Sequence, residues 1–420
     1  MVTLVVLTTA LCSFGAVQNE PAGQIRNRYL LLDERIIART ENAELALGNV
    51  RKHPGNPLFE EDKPWEKRFD NLYANVIYDE QEKLYKCWYS PFIIDTSAKG
   101  MTVAERRQKD YDEPDNREMA ICYATSKDGI KWNKPKMGLV EFEGSKANNI
   151  LWRGRAGEGG EHWKGPHGTG IFKDLRDPDP KRRYKAILKV ETLSIAFSPD
   201  GIHWSEALTR PEADSEGDTH NNAFWAPTLD QYVGITREWA APFGRQVAHT
   251  SSEGFINWRK CEVVLEGTDP RYQTYAMPVF FHGGIYLGLV AIHDQEEDRV
   301  WTELTWSPDT YQWHRVLPGT PLIPNAPGKE GDYDWGCVYA AACPVFLEDE
   351  IRLYYGGSDG HHSNWRNGFF CLATLRPDGF AGYKPTESNK PGKHLDNPLL
   401  SPSGDLTTVI RCRAQGICQG

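Results

Sequence analysis

The chain has 420 residues, 11% of them aromatic and 14 of them Trp, enough to bury one large core or two moderate ones. A formal charge of −10 and a pI near 5.7 argue against nucleic acid or an anionic membrane surface as the main partner. No Walker motif, Gly-rich dinucleotide fingerprint or zinc-type cysteine spacing occurs, so neither cofactor nor metal is expected.

Residues 1–17 carry an apolar run, Val2 to Cys12, followed by the small residues Ser13, Gly15 and Ala16. This reads as a secretory signal lacking a basic start, and it predicts a secreted or periplasmic protein; nothing else approaches a membrane span. The later cysteines form no dense framework and read as buried thiols, with a Cys87–Cys122 bridge the less favoured alternative. Residues 18–57 form an N-terminal extension that closes the ring of strands or caps one of its faces, with a strand over Tyr29 to Asp33 and a short helix over Glu41 to Val50.

Residues 58–385 are organised by a repeat: Ser126-Lys-Asp-Gly-Ile-Lys-Trp132, Ser198-Pro-Asp-Gly-Ile-His-Trp204, Ser252-Glu-Gly-Phe-Ile-Asn-Trp258 and Ser307-Pro-Asp-Thr-Tyr-Gln-Trp313, with a looser copy over 374–383. Each copy ends an apolar strand and reads as a hairpin turn, where Ser and Asp bond the backbone, Gly supplies positive φ and Trp packs between neighbouring units. The spacing is close to, or longer than, the roughly 40–50 residues of a four-stranded propeller blade. Five strand sets occur in order: 71–78, 84–89 and 119–124; 168–172, 183–188 and 193–197; 222–225, 231–236 and 246–250; 276–281, 285–291 and 302–306; 337–343, 351–355 and 369–373. A charged insertion, Ser97 to Arg117, interrupts the first as a loop or lid. The expected fold is all-β, a five-bladed β-propeller with a short N-terminal extension, followed by a tail, 386–420, without clear strand alternation.

In such a ring the innermost strands start at one face of a central funnel, so the residues just before them converge. They read Arg68-Phe-Asp70-Asn71, Glu161-His162-Trp163-Lys-Gly-Pro-His167, Gly217-Asp218-Thr-His220-Asn221-Asn222, Asp269-Pro-Arg271-Tyr272-Gln273 and Asp332-Tyr-Asp334-Trp335-Gly336. Glycoside hydrolysis needs two carboxyl groups flanking one bond. Asp70, Asp218 and Asp334, with Glu238 at the end of a third-blade strand, are the catalytic candidates. Trp163, Tyr272 and Trp335 offer faces for a sugar ring; His162, His167, His220, Asn221, Arg237 and His361 offer hydrogen bonds to it. The histidines match no zinc spacing and are read as hydrogen-bonding groups.

On His53-Pro-Gly-Asn-Pro-Leu-Phe59, the Asp-Gly-x-x-Trp hairpins and Tyr354-Tyr-Gly-Gly357, residues 56–383 resemble the five-bladed propeller glycosidases of the invertase-like family 32 and arabinanase-like family 43. The resemblance implies a base or nucleophile at the start of blade one, matched by Asp70, a second Asp in blade two and a proton-donating Glu in blade three. Arg176-Asp177-Pro178 superficially looks like the second motif but reads as an outer hairpin loop. For the third place Asp218 and Glu238 both stay open, and with them retention or inversion. The expected activity is hydrolysis of an oligo- or polysaccharide. Alternatives are a non-catalytic glycan-binding propeller and a phosphate-dependent glycoside phosphorylase, whose anion Arg68, Lys164, Arg237 and Arg271 would hold. A six-bladed sialidase-like enzyme is disfavoured, because its boxes are one residue longer.

Overall fold

Antiparallel meanders of about four strands repeat along the chain in a computed structural model that describes residues 29–154, 163–387, 390, 392–396 and 409–412. The proposed signal segment 1–17 lies outside the described residues, as does His162. Among the described residues the only α-helix is Val103–Gln108, inside the charged insertion.

The first meander is Asn75–Asp79, Leu84–Tyr89, Glu118–Ser126 and Ile150–Arg153; the second is His167–Lys173, Tyr184–Lys189, Leu193–Ser198 and Leu208–Thr209. The third is Asn222–Ala226, Gln231–Ala240, Gly244–Ser252 and Glu262–Leu265. In the fourth, the inner strand is split into Tyr272–Ala276 and Val279–His282, followed by Ile285–Asp294, Arg299–Ser307 and His314–Arg315. The fifth has Cys337–Ala340 and Val345–Phe346, then Ile351–Ser358 and Gly368–Leu375; a single parallel pairing, Val300 with Cys337, joins it to the fourth. Its outer edge is filled from the start of the chain: Arg51–Lys52 and Phe59–Glu60 both pair with Gly368–Leu375. Residues expected to be helical at 41–50 instead hold the strand Ala43–Leu47, paired with Ala381–Pro385. The segment expected as a strand at 29–33 enters a 3₁₀ turn, Glu34–Ile36, capped by Asp33.

The apolar core is divided among the seams between meanders. Cys87 and Val76 pack with Tyr354 and Phe370, joining first and fifth; Trp88 and Tyr123 pack with Tyr184 and Leu188, joining first and second. Ile187 with Tyr232, Val233 with Tyr286, and Leu287 with Leu353 continue the sequence. At roughly 25 cal/mol per Å² of apolar area, these seams rather than a single centre supply most of the driving force.

The repeated boxes are the turns expected of them. Ser126 Oγ accepts from Gly129 N at 2.8 Å, while Asp128 Oδ1 accepts from the backbone N–H groups of Ile130 and Lys131 at 2.8 Å. The same bonds recur at Ser198/Asp200 and Ser307/Asp309. Each turn also leans on the preceding meander. Gly129 O accepts from Tyr354 OH, Gly201 O from Trp88 Nε1, Gly254 O from Arg182, Thr310 Oγ1 meets His249 Nε2 and Asp378 meets His282. The position three residues after Ser has positive φ in all four boxes and holds Gly129, Gly201, Phe255 and Thr310. Phe255 tolerates it because its fully buried ring sits among Phe172, Tyr232 and Trp258.

The first residues of the inner strands are tied together by asparagine side chains. Asn75 Nδ2 donates to Thr169 O and Asn75 Oδ1 accepts from Ile171 N. Asn222 bonds Val279 N and Ala342 O, and Ala342 N donates to Ala74 O. Backbone groups that the sheets leave unpaired at this centre are thereby satisfied, and the loops before the strands are brought to one place.

Candidate functional site

The loop before the first inner strand is strained. Asp70, Leu72 and Tyr73 have φ of 53°, 63° and 46°, so the strand begins at Asn75 rather than Asn71. Positive φ at such residues costs on the order of 1–3 kcal/mol each and persists only where the surroundings overdetermine it. Buried Phe69 and Leu72 anchor the loop. Asn71 Nδ2 donates to Tyr73 OH at 2.7 Å and to Tyr275 OH at 3.2 Å. Asp70 Oδ1 accepts from Arg68 Nη2 at 3.0 Å and from Arg366 Nη2 at 2.6 Å.

Asp218, from the loop before the third inner strand, accepts from Arg237 Nη2 at 2.6 Å and has His167 Nδ1 3.5 Å away. Its side chain is 35% exposed, whereas that of Asp70 is 15% exposed. His167 and Tyr73 feel the charge of both acids. The two rings pack edge to face at 5.3 Å, with Trp163 on His167 at 4.6 Å. Tyr275 and Tyr339, at 5.4 Å, continue the aromatic wall, and His362 Nδ1 lies 2.9 Å from Tyr339 OH.

Burial by itself would raise the pKa of Asp70, but Arg366 and Arg68 outweigh it and hold the carboxyl below its ordinary value. Asp218 is also depressed, burial being outweighed by Arg237 and His167. Burial pushes His167 down to about 4 despite both aspartates, so at neutral pH the site holds two carboxylates and a neutral imidazole.

Arg366 and His362 arrive on the loop after Ile351–Ser358, and the charged insertion holds that loop. Thr102 and Glu105 form a reciprocal cap on the helix Val103–Gln108. From its last turn the buried Arg106 donates two bonds to Asp359, at 2.6 and 3.2 Å, while Asp359 also accepts from Asn367 N and Nδ2. Tyr111 packs on Trp365 at 5.1 Å and lies under Arg68 at 4.6 Å. The insertion expected as a loop or lid is thus docked on the fifth meander.

The structure brings together Asp70, Asp218, Trp163, His167, His220 and Arg237. His220 is buried against Tyr73, its pKa pushed by burial down to about 3. The other expected residues lie elsewhere or do other work. Glu238 follows Arg237 by one residue and so points to the other face of its strand, near Ser215, with its pKa raised by burial. Asp334 is fully buried in an ion pair with Lys52 at 2.5 Å and accepts from Tyr355 OH at 2.8 Å, tying the first residues of the chain to the fifth meander. Asn221 spends its amide on Gly168 O, Gly217 O and Thr219 O, and its oxygen on Thr236 Oγ1. Tyr272 packs on Trp301 beside Arg271, which is paired with Asp294. Trp335 and His361 meet at 5.1 Å outside the aspartate cluster, and His362, not His361, is the one turned into it.

Sequence reasoning missed Tyr73, Tyr275, Tyr339, Arg245 and Arg366. One signal was present: Tyr-Ala recurs at 73–74, just before an inner strand, and at 275–276 and 339–340, where the segments Tyr272–Ala276 and Cys337–Ala340 end. Among the described residues no group of three or more His, Cys, Asp or Glu is arranged to hold a metal ion, and no helix is long and apolar enough to cross a membrane. Cys87, Cys122, Cys261, Cys337 and Cys371 are free thiols.

No protein-family model matches the sequence, and no curated protein matches it. Solved structures do match in fold. One, with 14% identity and a TM-score of 0.52 over 78% of this chain and 94% of its own, comes from the GH130 family of mannoside phosphorylases, which contains glycoside hydrolases that target β-1,2-mannosidic linkages in Candida mannan. A glycosyl hydrolase from Bacteroides ovatus is similar at 14% identity and TM-score 0.51, over 79% and 94% of the two chains. An N-acetylgalactosamine deacetylase from F. plautii, in complex with blood group B trisaccharide, has 14% identity and TM-score 0.50, over 78% and 95%.

Proposed function

We propose that the chain is a glycoside hydrolase built as a five-bladed β-propeller, related to the invertase- and arabinanase-like enzymes, and cleaving an oligo- or polysaccharide at the centre of the ring. The observation that carries this reading is the meeting of Asp70 and Asp218, from loops about 150 residues apart, around His167 and Tyr73. The contact of the first-meander turn with Tyr354 of the fifth supports the closed ring. Glycan-processing proteins among the structural neighbours support the substrate class. Export through the apolar segment 2–12 belongs to the same reading.

Asp70, clamped by two guanidinium groups, stays ionised and faces the developing positive charge at the anomeric carbon. Asp218 is the more exposed acid. A sugar bound over it excludes water, which raises its pKa and lets it hand a proton to the leaving oxygen. Surplus guanidinium groups at the same centre, Arg245 above all, favour phosphorolysis as the second reading.

Both are tested on a panel of aryl glycosides and natural oligosaccharides, with and without phosphate, using wild type, Asp70→Asn and Asp218→Asn. Hydrolysis predicts turnover without phosphate. It also predicts that Asp218→Asn keeps more activity on glycosides with acidic leaving groups than on natural linkages. Phosphate-dependent release of a sugar 1-phosphate would replace hydrolysis by the second reading. Binding without turnover, equal in all three proteins, would leave a glycan-binding propeller.

A further inference from the structure

The hairpin formed by Gln231–Ala240 and Gly244–Ser252 carries an arrangement that carboxylate chemistry does not use. Arg237, Trp239 and Arg245 share one face of it, since Trp239 pairs directly with Arg245 and Arg237 lies two residues from Trp239. That face looks toward the fourth meander, where both guanidinium groups lie on the same ring, Arg237 at 4.9 Å and Arg245 at 5.1 Å from the centre of Tyr275. Arg245 also covers one side of Trp239 at 4.8 Å.

Two features of this face lack a structural purpose. Trp239 is 64% exposed, the most exposed of the large hydrophobic side chains among the described residues. Arg245 meets no carboxylate: its side chain donates one hydrogen bond, from Nη1 to the neutral Gln273 Oε1 at 2.9 Å. Its Nε and the Nη1 of Arg237 are buried without an acceptor. An unpaired cation held in a mostly buried position is costly, and the cost is removed when an anion arrives. Asp218 occupies only one edge of Arg237.

We propose that this face is a subsite for an acidic sugar: Trp239 stacks on the ring, and Arg245, helped by the free edge of Arg237, holds an oxyanion substituent, a carboxylate or a sulfate ester. The geometry suits such a ligand because planar guanidinium groups present paired donors to two oxygens, and Trp presents a face to the C–H side of a pyranose. The subsite adjoins Asp218 through Arg237, so the acidic unit sits next to the bond to be cleaved. The inference rests on the glycosidase reading for its place in a reaction, but not for its binding chemistry.

The test is calorimetric titration of the full chain with short oligogalacturonides, sulfated chondroitin disaccharides, neutral manno- and cello-oligosaccharides, and inorganic phosphate, alongside turnover of each sugar. Wild type is expected to prefer one acidic series over the neutral sugars. Arg245→Gln, which removes the charge but keeps a polar side chain beside Gln273, should weaken that series about 10-fold or more and leave neutral sugars unaffected. Trp239→Ala should weaken both. The uronate and sulfate arms identify the oxyanion. Equal binding of neutral and acidic sugars, or acidic binding that ignores Arg245→Gln, overturns the subsite while leaving the glycosidase reading standing. Phosphate binding that depends on Arg245, with no preference among sugars, overturns it in favour of a free inorganic anion. Arg245-dependent acidic binding without cleavage keeps the subsite and removes the glycosidase.

Discussion

The two ends of the inner strands are built from opposite materials. At their starts, the loops before the first and third inner strands bring Asp70 and Asp218 to His167, the loop after Ile351–Ser358 adds His362, and three tyrosines and a set of arginines surround them. At their far ends a cavity of about 590 Å³ is lined by Phe172, Trp225, Phe281 and Phe346, with Asp79 and Asp174 at its edge. Those two acids are spoken for: Asp79 by Lys86 and Lys173, and Asp174 by Lys185 and Tyr232. The contrast marks where chemistry has room. Charges at the far end are neutralised by neighbours within their own or the adjoining meander, while charges at the near end come from remote loops and leave donors unspent.

The hardest blow to this contrast is Asp70→Asn. Loss of the ionised carboxylate between Arg68 and Arg366 should lower kcat by about 10³-fold or more; because it strands the buried Arg366 it should also lower the melting temperature, so activity is read well below the transition on protein whose circular dichroism is native. Next comes Arg106→Met combined with Asp359→Asn, which removes the buried pair without stranding a charge. It should release the loop bearing His362 and Arg366 and cost about 10- to 100-fold in kcat/KM, read together with a rise in hydrogen exchange over residues 359–367. At the far end, Phe346→Ala removes a half-buried ring stacked on His282 at 4.6 Å. It should cost about 1–3 kcal/mol in denaturant unfolding and change kcat/KM by no more than about twofold. A large activity loss there would erase the distinction between the ends.

A last effect, on stability rather than turnover, is one of pH. His167 and His220 titrate at about 4 and about 3 in the folded chain, against 6.5 when unfolded, because burial disfavours their charged forms. Between about pH 6.5 and 4 the unfolded chain therefore binds protons that the native chain refuses. Stability is full above that window and falls as pH drops through it. His362, depressed in the same way by burial and Arg366, adds to the trend. Melting temperature should decline from pH 7 to 4.5, with hydrogen exchange rising first at the near end; a loss beginning at Phe346 would contradict the assignment.

What could be read from the sequence obeyed local rules. Ser126, Asp128 and Gly129 specify their turn within four residues, and the register of Asn222–Ala226 comes from a short apolar run. Asp70, Asp218 and His167 were found because they immediately precede such runs. Glu238 shows the limit: its strand was recognised, but a shift of one residue exchanges the faces, and Arg237 took the inward place. Arg366 was out of reach for another reason. Its position depends on Arg106, which pairs with Asp359 across 253 residues of chain, and no local pattern announces such a contact. Asp334 looked like its counterparts in the other blades until Lys52 arrived from the opposite end of the sequence to neutralise it.

That arrival of residues 51–60 on the strand Gly368–Leu375 also sets an order of events during synthesis. The strands Arg51–Lys52 and Phe59–Glu60 have no strand partner until more than 300 further residues have left the ribosome, so the fifth meander is completed only after residue 375 has emerged. Until then the backbone edges of these two strands stay open to other chains. Rejoining the sequence so that this pair becomes contiguous, with new ends placed in an exposed hairpin, should speed refolding and lessen aggregation while leaving the assembled centre as it is.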